Sequence, residues 1–229
     1  MTPLGNFRPT GTVYGCLLNF RREWEQLADR MAQPPHKAPP RAPVLYVKTA
    51  NTWSASGSTI ALPAGASAAL IGASVAMVIG PRQWASDGER TLPTVAGFVL
   101  VNDLELPGAS YFRPAVTSKC VDGFLGLGGS CIVPGDAGDP AKFVLQVRIN
   151  GDLCQTIRFD TLIRDADALL HDVDDCMSLR EGDLLLLGCD ADRPLAQAGD
   201  HIDITMADIP AFGTLSNTVM PAPITEPRP

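Results

Sequence analysis

Short apolar runs separated by turn residues dominate the chain, and this pattern predicts a β-rich fold. The run at 201–206 alternates apolar and polar residues, as a strand with one buried face does. Asn150-Gly151 stands between two strand-like runs, which indicates a β-hairpin with a type I′ turn. The predicted strands are 12–19, 44–47, 59–62, 74–79, 95–106, 143–149, 153–159, 184–188 and 201–206.

Two stretches repeat apolar residues at helical spacing. The first is an amphipathic helix of about three turns, predicted from Phe20, Trp24, Leu27 and Met31. It ends at 33–43, where five prolines exclude helix and favour an extended chain. The second helix is predicted over 160–179. Together the elements predict a β-rich α+β domain over residues 1–220, followed by a proline-rich tail at 221–229.

Composition narrows the possible functions. The 229 residues include 18 Lys and Arg against 25 Asp and Glu, a net charge of −7. An acidic chain lacks the basic face that a general nucleic-acid binder needs, and it is disfavoured at anionic lipid. The hydrophobic share of 45% supports a packed core. The six cysteines form no CxxC pair and no apolar leader opens the chain, so we expect reduced thiols in a cytoplasmic protein.

One segment resembles a membrane span. No charged residue occurs from Thr49 to Pro81, and Ile60 to Gly80 has about the length that crosses a bilayer. The stretch consists mostly of Ala, Gly and Ser, with Pro63 near its start. We therefore favour short buried strands with a glycine turn over a transmembrane helix.

Several polar residues are candidates for chemistry but have a structural explanation. Asp167, His171 and Asp174 share one face of the second predicted helix, where three metal ligands would meet, yet a solvated acidic face is the favoured interpretation. His201 is predicted at the surface. His36 lies in the proline segment, as part of either a mobile lid or, preferably, a polar loop. The glycine-rich 126–129 is interpreted as a turn.

Asn102-Asp103 is the most informative polar pair. It ends a run of large apolar residues, and catalytic groups commonly lie where a rigid strand meets a loop. Lys119 follows before a glycine-rich segment, and spacing alone suggests a surface salt bridge between Asp103 and Lys119.

The chain resembles the fumarylacetoacetate hydrolase family. The matching stretches follow the family's order over nearly the whole length: GTVYGCLLNF, VLYVKTANTW, GASVAMVIG, VAGFVLVND, SKCVDGF, the Asn150-Gly151 hairpin, LREGDLLLLG and AGDHIDI. HKAPPRAPVLYVKTANT and LPGASYFRPAVTSKCVDGF carry a narrower resemblance to family members that isomerise and decarboxylate intermediates of aromatic catabolism. The implied fold is a mixed β-sandwich roll with two principal helices.

The resemblance also implies a metal site that this chain has lost in part. Family members bind Mg²⁺, Mn²⁺ or Ca²⁺ through a Glu-x-Glu pair and an Asp, because a hard cation needs several charged oxygens. The Glu positions fall on Gly72 and Ser74 here, so that only Asp103 remains, as a vestigial ligand. A basic His of the family corresponds to Glu23. We therefore expect no tightly bound divalent cation in this chain, and Mg²⁺ or Mn²⁺ in a partner subunit.

The implied reaction is a decarboxylation and 1,3-proton shift of a small di- or tricarboxylate through an enolate. Asp103 would be general base or vestigial ligand and Lys119 a second catalytic group, while substrate carboxylates would contact Lys48, Asn102 and Arg113. The alternative is a non-catalytic structural paralogue that supports a metal-binding partner subunit. A third possibility is an unrelated small-molecule binder.

Two further expectations follow from the resemblance. Replacing Gly72 and Ser74 by Glu should restore metal binding, provided that Gly72 does not have a positive φ. The chain should form a homodimer or a hetero-oligomer with a metal-binding paralogue, with part of the contact supplied by the uncharged stretch 49–81.

Overall fold

Two β-sheets form most of the molecule in the computed structural model, which describes residues 7–34, 37–84, 90–108 and 116–222. The seven-stranded sheet has the order β2-β1-β11-β6-β7-β8-β3 and the five-stranded sheet the order β10-β9-β13-β14-β4, while β5 and β12 pair separately. The strands are β1 (Val13–Leu17), β2 (Val44–Lys48), β3 (Trp53–Ala55), β4 (Thr59–Ala61), β5 (Ala68–Leu70), β6 (Ala73–Trp84), β7 (Arg90–Asp103), β8 (Leu125–Leu127), β9 (Val144–Ile149), β10 (Asp152–Arg158), β11 (Leu184–Leu186), β12 (Leu195–Gln197), β13 (His201–Met206) and β14 (Thr214–Met220).

Two principal helices and several single turns complete the described part of the chain. The helices are α1 (Arg21–Met31), α2 (Val116–Lys119), α3 (Pro134–Ala137) and α4 (Ala166–Asp174), and the 3₁₀ turns are Ala50–Thr52, Pro140–Lys142, Phe159–Thr161 and Pro210–Phe212. Asp165 caps α4 by accepting a hydrogen bond from the Ala168 N–H. The longest helices, α1 and α4, are the two predicted ones.

The larger sheet is curled. Its two edge strands, β2 and β3, are joined by residues 49–52 alone. Such a connection spans at most about 18 Å, whereas the edges of a flat seven-stranded sheet lie about 29 Å apart. The sheet must therefore roll so that its edges approach each other, and the roll brings the end of β2 towards the end of β7.

Both faces of the larger sheet are buried. Along β6, Val75, Met77 and Ile79 pack into the main core with the five-stranded sheet, whereas Ala76 and Val78 join a second apolar cluster. A strand buried on both faces carries an uninterrupted apolar sequence. This explains the uncharged stretch, whose part from 73 to 80 is interior. This interior part is therefore not available for the partner contact expected from the stretch 49–81.

The predicted fold is confirmed: the chain is β-rich, with a sandwich-like roll and two principal helices. The hairpin is confirmed as well, because Asn150 and Gly151 have φ of 53° and 92°, as a type I′ turn requires. The second helix is shorter than predicted, since residues 159–161 form a separate 3₁₀ turn. The described residues contain no helix that is long and apolar enough to cross a membrane.

The prediction missed five strands, four of which have only three residues. Such segments are too short to show an alternation, and pairing with neighbours defines them. The interpretation of the glycine-rich residues 126–129 as a turn was wrong, because Gly126 and Leu127 belong to β8. A Cβ on Gly126 would lie 2.3 Å from Asn217 Oδ1, so the glycine permits a close approach of β14. The end of the proline-rich tail lies outside the described residues.

Candidate active site

Asp103, the last residue of β7, is the centre of a buried polar cluster. Its carboxylate is fully buried, with Lys48 Nζ 2.9 Å from Oδ1 and Lys119 Nζ 2.8 Å from Oδ2. The Tyr46 hydroxyl donates a hydrogen bond to Oδ2. Burial by itself would raise the pKa of Asp103, but the charges of Lys119 and Lys48 outweigh it and hold that pKa below its usual range. Asp103 is therefore an anion at neutral pH, and a general-base role does not fit these contacts.

Lys48, the last residue of β2, is held in a cage of oxygens. Besides Asp103, its ammonium contacts the carbonyl oxygens of Leu104 at 3.3 Å, Lys119 at 2.5 Å and Phe124 at 2.9 Å. Burial lowers the pKa of Lys48, against the effect of the Asp103 charge. The side chain is fully buried, and its described contacts are those that secure the cluster.

Lys119, at the end of α2, bridges two carboxylates. Its Nζ lies 3.2 Å from Glu105 Oε2 as well as beside Asp103, and 4.5 Å from the centroid of the Tyr46 ring. Glu105 also pairs with Arg193 at 2.5 Å. Although burial alone would lower the pKa of Lys119, the two carboxylates raise it. Lys119 and Asp103 are at most 2% exposed, so the expected surface salt bridge is in fact a buried one.

Glu23, in the first turn of α1, is a third carboxyl group whose ionisation is coupled to this cluster. Its Oε2 accepts a hydrogen bond from the Leu18 N–H at 2.7 Å. Burial raises the pKa of Glu23 to about 7, and the Leu18 bond and the charges of Arg193 and Lys119 oppose that rise only in part. Glu23 therefore exchanges a proton near neutral pH, unlike Asp103.

Two sets of contacts fix the start of α1. Asn19 is buried and bonds the carbonyls of Arg164 and Leu187 at 3.0 and 2.9 Å. On the other side of the helix start, Arg22 pairs with Asp190 at 3.4 Å and Gln26 donates to Asp192 at 3.0 Å. These contacts anchor α1 against the segment that leads to Arg193.

A cleft opens beside the cluster. It has a volume of about 260 Å³, and Lys119 is its charged lining residue within the described part of the chain. The cleft is lined by Leu45, Tyr46, Val47, Thr49, Val116, Lys119 and Cys120. A pocket with apolar walls and a few convergent polar groups is typical of a small-ligand site.

The predicted site residues do not all meet here. Asn102 precedes Asp103 on β7, and successive side chains of a strand point to opposite faces. Its amide donates to Asn217 Oδ1 at 3.3 Å in the buried interior, so the structure separates it from the cluster. Arg113 and His36 lie outside the described residues. The sequence analysis missed Tyr46, Glu105 and Arg193, since only the tertiary fold unites them.

Tyr46 illustrates why such a residue escapes a sequence pattern. It occupies an ordinary position in an apolar strand, and its ring lies against Gly15 of β1. A Cβ on Gly15 would come within 2.0 Å of the Tyr46 ring. The glycine thus makes room for an aromatic side chain whose hydroxyl reaches Asp103.

The other candidates have structural roles. Asp174 is buried and pairs with Arg82 at 2.5 Å, which corrects the interpretation of a wholly solvated acidic face. His171 is exposed and faces Asp175 at 3.4 Å. His201 is half-exposed beside Asp203, so its predicted surface position is confirmed.

Comparison with known proteins agrees with this architecture. Residues 12–220 match the model of the fumarylacetoacetate hydrolase C-terminal family. The 4-hydroxyphenylacetate degradation bifunctional isomerase/decarboxylase of Salmonella dublin is 32% identical over 202 residues, which cover 88% of this chain and 46% of the relative. The chain thus spans about half the length of that relative, corresponding to its N-terminal half.

Solved structures show the same fold. The 5-carboxymethyl-2-hydroxymuconate delta-isomerase of Mycobacterium smegmatis superimposes with a TM-score of 0.70 at 23% identity, covering 93% of this chain and 79% of the other. Fumarylpyruvate hydrolase of Pseudomonas aeruginosa, solved with Mn²⁺ and pyruvate, gives 0.72 at 19% identity, with 93% and 90% covered.

The residues of this chain do not fit such a metal. The carboxylate oxygens of Asp103 already face two ammonium groups and a hydroxyl, and Ser74 Oγ donates to the Gly188 carbonyl at 2.5 Å. Within the ranges that the structure describes, no three Asp, Glu, His or Cys side chains are grouped to bind a metal ion.

The surroundings of Gly72 also bear on the prediction that glutamates at positions 72 and 74 would restore metal binding. Gly72 has no positive φ, as the proposal required. A Cβ there would nevertheless lie 2.1 Å from the backbone oxygen of Asp103. Because real side chains do not approach a backbone atom so closely, Gly72→Glu must displace the start of β6 from β7 and cannot simply rebuild a ligand pair.

Proposed function

Because the chain belongs to the fumarylacetoacetate hydrolase family, we propose that it is one domain or subunit of an isomerase/decarboxylase in 4-hydroxyphenylacetate catabolism. Its substrates would be small di- and tricarboxylates, with 2-hydroxyhepta-2,4-diene-1,7-dioate isomerised and 5-carboxymethyl-2-oxo-hex-3-ene-1,6-dioate decarboxylated. The 32% identity to the bifunctional enzyme supports this assignment. The proposal extends to a cytoplasmic location and to 1–220 as a single domain.

The observation that carries the proposal is the position of Lys119 between a buried carboxylate cluster and the cleft. The three cations Lys48, Lys119 and Arg193 pair with two carboxylates, Asp103 and Glu105, whose pKa values the cations lower. This excess of positive charge favours an incoming carboxylate, which the apolar walls of the cleft alone would not bind.

Lys119 would bind a substrate carboxylate or the enolate oxygen. An enolate carries negative charge that a fixed ammonium stabilises in a site with little water. Asp103 would then be a positioning residue, because it orients Lys119 and does not itself face the cleft. Arg113 stays a proposed substrate contact, while Asn102 and Lys48 are better explained as structural.

The second candidate is a non-catalytic paralogue that supports a metal-binding partner subunit. The two ammonium groups and the hydroxyl around Asp103 favour it, because a cation would have to compete with them for the same carboxylate. The chain also spans only about half the length of the bifunctional relative.

Ligand binding tests the cleft. Oxalate or pyruvate should raise the melting temperature of the parent protein, and Lys119→Met should abolish that rise because the ammonium is lost. Lys142→Met is the matched control, since Lys142 is 83% exposed and distant in sequence from the cluster. An unchanged response in Lys119→Met would remove Lys119 from the site.

A decarboxylation and isomerisation assay separates the two candidates. The purified chain is assayed with and without Mg²⁺, and again after co-expression with a family member that retains the Glu-x-Glu pair. Turnover by the chain alone supports the catalytic assignment. Turnover only in the complex, retained in a Lys119→Met variant of this chain, supports the non-catalytic one. A chain that neither turns over substrate nor binds the partner contradicts both.

A further inference from the structure

We propose that a second cavity of this protein, the β3 cavity, binds a small aromatic or conjugated monocarboxylate. The cavity has a volume of about 410 Å³ and lies beside β3, an edge strand of the seven-stranded sheet. It is lined by Phe7, Arg8, Trp53, Ser54, Ala55 and Leu127. None of these residues lines the cleft at Lys119, so the inference goes beyond the proposed function and does not rest on it.

The apolar walls of the β3 cavity are fixed by the core. Phe7 and Trp53 pack against the second apolar cluster, which includes Leu125 and Leu127 of β8. The Phe7 N–H donates to the Gly129 carbonyl at 3.3 Å, and Trp53 lies opposite Leu125 in the sheet register. The walls are therefore held in place without a ligand, as in most small-molecule sites, which have volumes of about 300–1,000 Å³.

Arg8 supplies the positive charge of the β3 cavity. The residue is exposed, and it has no ion-pair or hydrogen-bond partner within the described part of the chain. No Asp or Glu is among the described residues that line the cavity. A guanidinium presents parallel N–H groups that match the two oxygens of a carboxylate. An exposed arginine alone would be an ordinary solvated residue, but this one borders an apolar cavity large enough for an anion that carries a ring.

Trp53 provides a second, independent observation. Its Nε1 atom is buried and has no hydrogen-bond partner among the described residues. Folded proteins rarely leave a buried donor unpaired, because the lost hydration is then not replaced. The Ser54 hydroxyl does not serve as the acceptor, since it donates to the Gly123 carbonyl at 2.8 Å. An indole N–H can only donate and an ionised carboxylate can only accept, so a carboxylate supplies what Trp53 lacks.

These groups define how the ligand lies. Its carboxylate accepts hydrogen bonds from Arg8 and from the indole of Trp53, and its flat apolar part lies against Phe7, Ala55 and Leu127. Aromatic rings prefer offset or edge-to-face contacts with other rings, which a planar ligand makes with Phe7. A second carboxylate would face apolar walls without a partner, and burying it there is costly. The β3 cavity therefore takes a monocarboxylate, unlike the cleft at Lys119.

Trp53 also separates the β3 cavity from the charged cluster. Directly opposite residues of neighbouring strands have side chains on the same face of a sheet. Trp53 lies opposite Leu125, and Leu125 lies opposite Asp103. The indole and the Asp103 carboxylate thus share one face, with Leu125 between them. A ligand at Trp53 is next to the cluster but not in it, and it should not compete with a ligand at Lys119.

The experiment uses benzoate as the probe. Calorimetry measures its affinity, and acetate and benzamide are the comparison ligands because acetate lacks the ring and benzamide lacks the charge. Proton–nitrogen NMR spectra resolve the indole N–H signals of the three tryptophans, and Trp53→Phe assigns the one from Trp53. The test variants are Arg8→Gln and Ala55→Leu. Arg21→Gln is the matched control, since Arg21 is an exposed arginine of α1.

We expect the parent and Arg21→Gln to bind benzoate equally, and acetate and benzamide at least about tenfold more weakly. Benzoate should move the indole N–H proton of Trp53 downfield, because the donor gains an acceptor. Arg8→Gln should weaken benzoate binding about tenfold. Ala55→Leu should abolish it by filling the space for the ring, while an unchanged fold is checked by the spectrum without ligand. Saturating oxalate should leave benzoate binding unchanged.

Three results would overturn the inference. The first is a parent protein that does not bind benzoate, or that binds acetate equally well. The second is benzoate binding that is unchanged in Arg8→Gln or that leaves the Trp53 indole signal in place. The third is displacement of benzoate by oxalate, which would move the ligand to the cleft at Lys119. Failure of oxalate to bind at all would contradict the proposed function and leave the β3 cavity unaffected.

Discussion

Replacing Asp103 by Asn should destabilise this protein severely. The substitution preserves the volume of the side chain but removes the charge that two buried ammonium groups face at 2.9 and 2.8 Å. Removing one partner of a buried ion pair costs about 3–5 kcal/mol, because the remaining charge stays buried without compensation. Lys119 retains Glu105 and Lys48 retains three carbonyl oxygens, so we expect a loss within that range and not above it.

Urea unfolding at pH 7, followed by tryptophan fluorescence and circular dichroism, measures this loss. Asp160→Asn is the matched control, since Asp160 forms an exposed pair with Arg158 at 2.8 Å and its loss should leave stability unchanged within error. The double variant Asp103→Asn, Lys119→Met should recover part of the stability, because one uncompensated ammonium is gone. If Asp103→Asn stays within about 1 kcal/mol of the parent, the cluster is not the buried charge network described above.

The buried carboxylate of Asp103 should also make the free energy of unfolding depend on pH in the acidic range. The folded-state pKa of Asp103 lies below its unfolded value. Its contribution to stability is therefore complete above pH about 4, the unfolded pKa, and is lost as pH falls through the lower folded pKa. The parent should lose stability more steeply than Asp103→Asn on acidification below pH about 4, as urea titrations at successive pH values would reveal.

Three further changes test other parts of the structure. Gly72→Ala should lower the free energy of unfolding by about 1–3 kcal/mol, the usual cost of overpacking, because its Cβ meets a backbone oxygen at 2.1 Å. Gly135→Ala has open space around it and should leave stability unchanged, so equal effects of the two substitutions in urea unfolding would contradict the packing argument. Gly151→Ala should cost about 1 kcal/mol, since φ is 92° in the hairpin turn; a neutral effect on the melting temperature would refute the strain. The folded-state pKa of Glu23 is raised to about 7, so its contribution to stability is complete below pH about 4 and is lost as pH rises through 7. Glu23→Gln should remove this loss, and identical pH–stability curves for variant and parent would contradict the raised pKa.

Much of the fold could be predicted from local patterns. The helix α1 follows from four apolar residues at helical spacing, and the β9–β10 hairpin follows from Asn150-Gly151, because both elements satisfy their hydrogen bonds within one short segment. The family resemblance supplied the order of the elements and the importance of Asp103 and Lys119. Asp103 ends one matched segment and Lys119 lies near the start of the next, and the structure places their side chains in contact.

The roles of these residues depended on tertiary structure. From their charges and spacing in the sequence, Asp103 and Lys119 were expected to form a surface salt bridge. Their burial follows from the tertiary fold, in which the seven-stranded sheet rolls up. Tyr46 lies in an apolar strand with no sequence signal for its hydrogen bond to Asp103. Glu23 has the sequence of an ordinary first-turn acid, and its raised pKa comes from the burial that docking of α1 imposes.

The sequence by itself determined the β-rich class, the hairpin and the first helix, since periodicity and turn chemistry act over a few residues. The tertiary structure alone decided that two lysines and a tyrosine surround Asp103, and that a Cβ at position 72 would collide with the backbone oxygen of Asp103. Burial and charge proximity set the protonation of a carboxyl group, and both depend on residues far apart in the chain. For that reason Asp103 and Glu23, which look alike in sequence, differ in whether they can exchange a proton at neutral pH.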